Sequence, residues 1–205
     1  MRRHIGLCAA YIALACIASA CIELNFMAPA WAQDDASRPA RKLDVWYVPT
    51  TQEVLDRMLD MAKIRVTEVV YDLGCGDGRI VIAAAKKYGV RAVGVDLDPA
   101  RIREARANAK AAGVEALVTF NVGDLFETDL RDADVVTLYL LPELNRRLIP
   151  KLFAELKPGA RVLSHDWDMG KDWPPDQQLK LGADAIFLWV MPPMERRKLP
   201  GKARS

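Results

Sequence analysis

The run Asp72-Leu73-Gly74-Cys75-Gly76-Asp77-Gly78-Arg79-Ile80-Val81-Ile82-Ala83-Ala84-Ala85 joins a short apolar segment, residues 69–73, to one whose apolar residues recur at helical spacing. Glycines at 74, 76 and 78 permit a tight strand-to-helix turn and let a ligand approach the backbone, while the first N–H groups of the helix lack partners within it. The spacing is G-x-G-x-G; the dinucleotide fingerprint G-x-G-x-x-G would require glycine where Arg79 stands. Asp72 ends a strand expected to be buried, where a lone carboxylate is costly unless it meets a donor or a cation. An amino group on a ligand would supply that partner.

Outward from this turn, apolar strands alternate with helical segments. Strands are expected over residues 69–73, 92–97, 117–122, 134–141 and 160–165, and helices over 79–88, 99–112 and 143–156. Gly89, Gly113 and Pro158-Gly159 stop the helices where the chain must turn back. That order predicts an α/β, Rossmann-like fold: a mostly parallel sheet with right-handed crossovers and helices on both faces. Residues 177–181 and 185–191, around Gly182-Ala183-Asp184, predict a C-terminal antiparallel hairpin. Upstream, Pro49 and the Thr-x-x-Glu spacing of Thr50–Glu53 predict a capping box that opens an amphipathic helix to about Lys63.

Two more acids fall at strand ends. Asp96 closes the second strand, twenty residues after Gly76, where a carboxylate accepts both hydroxyls of a ribose. Asp124 follows the third strand in Gly123-Asp124-Leu125; its carboxylate can accept an exocyclic adenine amine while Leu125 packs on the ring. Singly, such acids are turn residues or helix caps, as Asp98 before Pro99 is expected to be. Together they line the carboxyl edge of the sheet, where open α/β sheets bind ligands.

Composition narrows the classes. With 29 basic and 27 acidic residues the formal charge is +2, too small for a strong nucleic-acid field. Cys8, Cys16 and Cys21 precede residue 22 and only Cys75 lies beyond, which excludes a disulfide framework or a cysteine-based zinc site in the body; no metal is expected. Arg2-Arg3, the uncharged run 5–22 and Ala30-Trp31-Ala32 read as a secretory signal, residues 1–32, cut after Ala32. The same run is long enough for an N-terminal anchor, Ala18–Cys21 is a poor lipobox, and a start at Met27 would remove the segment altogether. Export or membrane anchoring is therefore expected, with a linker over 33–45, one domain over 46–194 and a basic tail over 195–205.

The loop Asp72–Gly78, Val93-Gly94-Val95-Asp96 and Gly123-Asp124 resemble the cofactor motifs of class I S-adenosylmethionine-dependent methyltransferases over about residues 69–163. More narrowly, Val48-Pro49-Thr50, the whole 72–85 run and Trp173-x-Pro175-Asp176 are similar to the ATP synthase c-subunit lysine N-methyltransferase family and its prokaryotic relatives. The resemblance implies S-adenosyl-L-methionine as cofactor, with Asp72, Gly74 and Gly76 on its methionine half, Asp96 on the ribose and Asp124 on the adenine. Cys75, Gly78, Leu97 and Leu125 complete the candidate cofactor contacts. Tyr139, Pro142, Glu143 and Asp166 form the candidate acceptor site, with His165 and Trp167 beside them and Trp46, Tyr47 and Trp173 as aromatic walls favourable to a cationic lysine. The implied substrate is a protein lysine, of a membrane protein or otherwise, or a small molecule. Ser164–Met169 departs from the eukaryotic pattern, and the chain after the fifth strand is too short for the helix that most class I enzymes carry there. An NAD-dependent oxidoreductase is disfavoured by the glycine spacing, and an exported, non-catalytic binding module is motivated only by the leader.

Overall fold

The computed structural model describes residues 49–171 and 173–197. Its first element, α1 (Gln52–Ala62), buries Val54, Leu55, Met58, Leu59 and Ala62 along one stripe. The N-cap is Thr51, whose side chain accepts the Val54 N–H, so the expected capping box at Thr50 is displaced by one residue. Thr50 is left buried outside the helix with its hydroxyl available to another element.

The chain then runs β1 (Val69–Leu73), α2 (Arg79–Tyr88), β2 (Arg91–Asp96), α3 (Pro99–Ala111), β3 (Val118–Val122), β4 (Val135–Leu138), α4 (Pro142–Glu155), β5 (Arg161–His165), β6 (Gln177–Leu181) and β7 (Asp184–Val190). One seven-stranded sheet forms in the order β3-β2-β1-β4-β5-β7-β6, with β1–β5 parallel and β7 antiparallel to both β5 and β6. The parallel sheet and the terminal hairpin are those expected. The switch point lies between β1 and β4, where the strand order reverses about β1.

Successive residues of a buried strand face opposite layers, and two apolar clusters result. Val135 joins α1, α2 and α3 through Leu55, Met58, Val81 and Ile102. Val136 joins α4 through Leu144, Leu148, Leu152 and Phe153. Two local differences from expectation have simple causes. Asp134 turns its carboxylate back to accept the Val69 N–H, and Leu141 serves as the N-cap of α4, so β4 is confined to four residues. Between β5 and β6 no described residue is helical, as anticipated, and none is helical between β3 and β4, where no helix was expected either. At the amino edge of the sheet, Glu68 is buried beneath Arg161 Nη2 at 2.5 Å and also accepts from Arg65. Burial works against its charge, yet the two arginines hold it below the usual carboxylate range.

The expected export or membrane anchoring is corrected: among the described residues no helix is long and apolar enough to cross a membrane. Spanning takes about 20 apolar residues, and α4, with Arg146 and Arg147 within it, has 14. The apolar run 5–22, the linker 33–45 and most of the basic tail lie outside the described residues.

Candidate active site

The turn after β1 is held by its own backbone. Gly74 and Cys75 both donate to the Val95 carbonyl, at 2.8 and 3.0 Å, which ties the loop to the end of β2. Gly74 takes φ 85° and Gly78 φ 79°, values that favour glycine. At Gly78 a Cβ would also lie 2.6 Å from the Phe120 ring, so the residue is fixed by packing as well as by conformation.

Asp96 braces this loop. One carboxylate oxygen accepts the Gly76 N–H and the other the Asp98 N–H, each at 2.9 Å. Asp98 is the N-cap of α3 as expected, accepting the Ala100 N–H with Pro99 in the first turn. Asp72 has a different environment. It is buried, Thr137 Oγ1 donates to it at 2.7 Å, and no ion pair among the described residues offsets its charge. Burial, against the opposing Thr137 hydrogen bond and reinforced by Asp96, pushes its carboxyl up to about 7. Asp96 is raised as well, by burial against its two N–H donors. A buried carboxyl without a cation beside a second, braced carboxyl suits a ligand that brings an ammonium group and hydroxyls. The amino-acid and ribose portions of S-adenosyl-L-methionine have those groups.

The remaining cofactor-side candidates divide between edge and core. Asp124 Oδ1 accepts the Phe126 N–H and its carbonyl closes the following turn, so the residue shapes the loop after β3. Leu97 is partly exposed at the same edge. Leu125 is buried in the α4-side cluster. Cys75 points its thiol into the opposite cluster, where a Cβ on Gly94 would lie 2.8 Å from the sulfur. Burial drives that thiol far above the usual range, so Cys75 is a packing residue and its side chain is no reactive group.

On the acceptor side, Tyr139 follows β4 and lies over His165, with ring centroids 3.9 Å apart. Its hydroxyl donates to Asp166 Oδ2 at 3.4 Å. Burial, then the Asp166 charge, raise the Tyr139 hydroxyl above its ordinary pKa and keep it protonated. Asp166 adopts φ 62° and pairs its backbone and Oδ1 with Ala185 at the start of β7. Pro142 and Glu143 open α4, with Glu143 in its first turn. Trp167 is exposed beyond β5. Trp173 departs from expectation: it is packed between Phe153 and Trp189, and its carbonyl accepts the Trp189 Nε1–H, so it is core. Trp46 and Tyr47 lie outside the described residues.

Two residues absent from the expected acceptor site stand here. Thr50 Oγ1 meets His165 Nδ1 at 3.2 Å, and its carbonyl accepts from Arg79 at 2.8 Å, linking the acceptor side to the glycine loop. Asp184, in the hairpin, brings Oδ1 to 3.6 Å from His165 Nε2. A separate groove of about 450 Å³ over α1, α2 and α3 is lined by Gln52, Asp56 and Lys86 and includes neither Asp72 nor Asp96.

The strand order, the glycine turn and the acids at the carboxyl edge define a class I S-adenosyl-L-methionine-dependent methyltransferase, and comparison with known proteins bears this out. The chain belongs to the ANTKMT methyltransferase domain family, whose model matches residues 72–177. It is 48% identical over 136 residues to a protein-lysine N-methyltransferase of Saccharolobus islandicus, covering 66% of this chain and 84% of that one. Over 149 residues it is 36% identical to the ATP synthase c-subunit lysine N-methyltransferase of Xenopus laevis, covering 73% of this chain but 65% of the relative. The adenine nucleotide translocase lysine N-methyltransferase of Mus musculus is also 36% identical, with 72% of this chain and 64% of the relative covered. A solved structure from Salinibacter ruber, described as an RNA methyltransferase in complex with S-adenosyl-L-homocysteine, superposes with TM-score 0.72 at 50% identity over 77% of this chain and 100% of that one. The protein is thus an S-adenosyl-L-methionine-dependent methyltransferase, and a non-catalytic binding module is set aside.

Proposed function

We propose that the acceptor is a lysine side chain of a protein. The observation that carries this reading is the group at the ends of β4, β5 and the start of β7, where Tyr139, Asp166 and Asp184 surround a buried histidine with aromatic and acidic groups. Such a lining favours a cationic side chain over a phosphate backbone. Support also comes from the relatives, three of which are named for lysine methylation.

When bound, the cofactor supplies a sulfonium-activated methyl group for in-line displacement. The chain's own residues orient it: Asp72 and the Gly74–Gly76 backbone toward the methionine half, Asp96 toward the ribose hydroxyls, Asp124 and Leu125 toward the adenine. Tyr139, Pro142, Glu143 and Asp166 border the acceptor. Little acid–base chemistry is required beyond removing one proton from an ammonium, so alignment and exclusion of water supply the acceleration.

A second reading, RNA as acceptor, is favoured by the Salinibacter ruber relative alone. One experiment separates the two: incubation of the purified chain with methyl-labelled cofactor and a cell extract, split into protein and RNA fractions. Label recovered as N-methyl-lysine after acid hydrolysis supports the proposal; label confined to nucleosides overturns it.

A further inference from the structure

Two carboxylates and a buried ring nitrogen converge where β5 meets β7. His165 Nε2 is buried without a hydrogen-bond partner, and it lies 3.6 Å from Asp166 Oδ2 and 3.6 Å from Asp184 Oδ1. Those separations are too long for hydrogen bonds. The ligand atoms of the three residues all fall within 4.8 Å of one another. Two carboxylates about a buried ring nitrogen call for a positive charge between them. A divalent metal bound at about 2.1 Å holds neighbouring ligands roughly 3.0 Å apart in an octahedron and roughly 3.4 Å apart in a tetrahedron. An ammonium donating hydrogen bonds of about 2.8 Å spreads its acceptors to roughly 4.6 Å. The two 3.6 Å separations fall between these values, so the choice of an ammonium rests on the acceptor and not on size. The cluster opens outward through Asp184, whose side chain is 38% exposed, while His165 is closed at 3%.

Resting on the lysine reading above, we propose that this cluster receives the acceptor ammonium and removes its proton. Asp166 and Asp184 hold the ammonium, and His165 Nε2 takes one proton from it. One N–H bond breaks, its electron pair stays on the nitrogen as the attacking lone pair, and a new Nε2–H bond forms on the imidazole. The resulting imidazolium is neutralised by the two carboxylates and stacked beneath Tyr139. Thr50 is a positioning residue: its hydroxyl accepts the Nδ1–H, which leaves the Nε2 lone pair facing the ammonium. The charged or titratable groups facing His165 are Asp166, Asp184 and Tyr139, with Arg79 one step behind Thr50. Tyr139 is excluded as the base because its hydroxyl is held protonated.

The chain has two histidines, His4 and His165, so ring-nitrogen NMR resolves them and His165→Gln assigns the signals. With S-adenosylhomocysteine present, n-butylammonium as a lysine mimic is expected to shift His165 Nε2, and Thr50→Val to move the ring proton from Nδ1 to Nε2. On poly-L-lysine, His165→Gln is expected to lose about 100-fold in kcat at neutral pH and to recover part of it in alkali, where the amine sheds its own proton. Asp184→Asn is expected to raise KM for poly-L-lysine more than it lowers kcat, with S-adenosylhomocysteine affinity unchanged in both variants. A pH-independent loss in His165→Gln, or an NMR response to Mn²⁺ and none to butylammonium, would overturn the proposal. If the wild type methylates no lysine, the lysine reading fails on that result alone, and the butylammonium shift still decides whether the cluster is an ammonium site.

Discussion

Asp72→Asn should change the sign of its effect on stability as pH rises. The Asp72 carboxyl is buried and pushed up to about 7, against an ordinary value of 3.8. A carboxyl whose pKa is higher in the folded than in the unfolded chain stabilises most when protonated in both. That stability is intact below about pH 4, declines as pH rises, and is gone above about pH 7. At 1.36 kcal/mol per pH unit the decline amounts to about 4 kcal/mol. Asparagine cannot ionise and keeps an oxygen for Thr137, but it buries an N–H₂ group without an acceptor, costing about 1–3 kcal/mol at every pH. The variant is therefore expected to be less stable than wild type near pH 4 and more stable by about 1–3 kcal/mol near pH 9, with the curves crossing between. Urea unfolding of the cofactor-free protein across that range measures the difference directly. S-adenosylhomocysteine at a hundred times its dissociation constant should add about 2.7 kcal/mol to wild type and nothing to the variant at the same concentration. Stability curves that run parallel from acid to alkali would refute the claim that an unpaired buried carboxyl sits at the switch point.

Three further outcomes are expected. Glu68→Ala leaves the half-buried Arg161 without its carboxylate and should cost about 3–5 kcal/mol in urea unfolding while leaving S-adenosylhomocysteine affinity unchanged, because the pair lies at the opposite edge of the sheet. Gly78→Ala forces a side chain against Phe120 at positive φ and should cost about 1–3 kcal/mol together with a loss of cofactor affinity; an unchanged melting temperature would refute the packing argument. Cys75 should resist iodoacetamide in the folded protein and react only in denaturant, as read by peptide mapping, since its thiol is buried and its pKa is raised.

The proposed cofactor side is legible in the sequence because it is written locally. Asp72, Gly74, Gly76 and Gly78 fall within seven consecutive positions, and Asp96 ends and Asp124 closely follows a strand whose apolar period is plain. The proposed acceptor side has no such continuity: Tyr139 meets His165 and Asp166 through the β4–β5 pairing, Thr50 reaches His165 from the start of α1, and Asp184 arrives because β7 pairs antiparallel with β5. Asp184 reads as a hairpin residue by composition, and nothing in its neighbours says that the hairpin folds back onto β5. Trp173 misled for the converse reason, since a tryptophan in a loop carries no period to tell a core residue from a channel wall. Thr50 is the sharpest case. Thr50 and Thr51 are both able to cap α1, and the Glu53 spacing favours the first; the chain uses the second, with Val54 N–H at 3.4 Å. Capping by Thr50 would engage its hydroxyl at the helix, away from His165. Shifting the cap by one residue releases that hydroxyl to His165 Nδ1 and leaves the Thr50 carbonyl on Arg79. A helix start is thereby coupled to the orientation of a ring some 115 residues away, which is why a stabilising feature and a positioning feature share one pair of threonines.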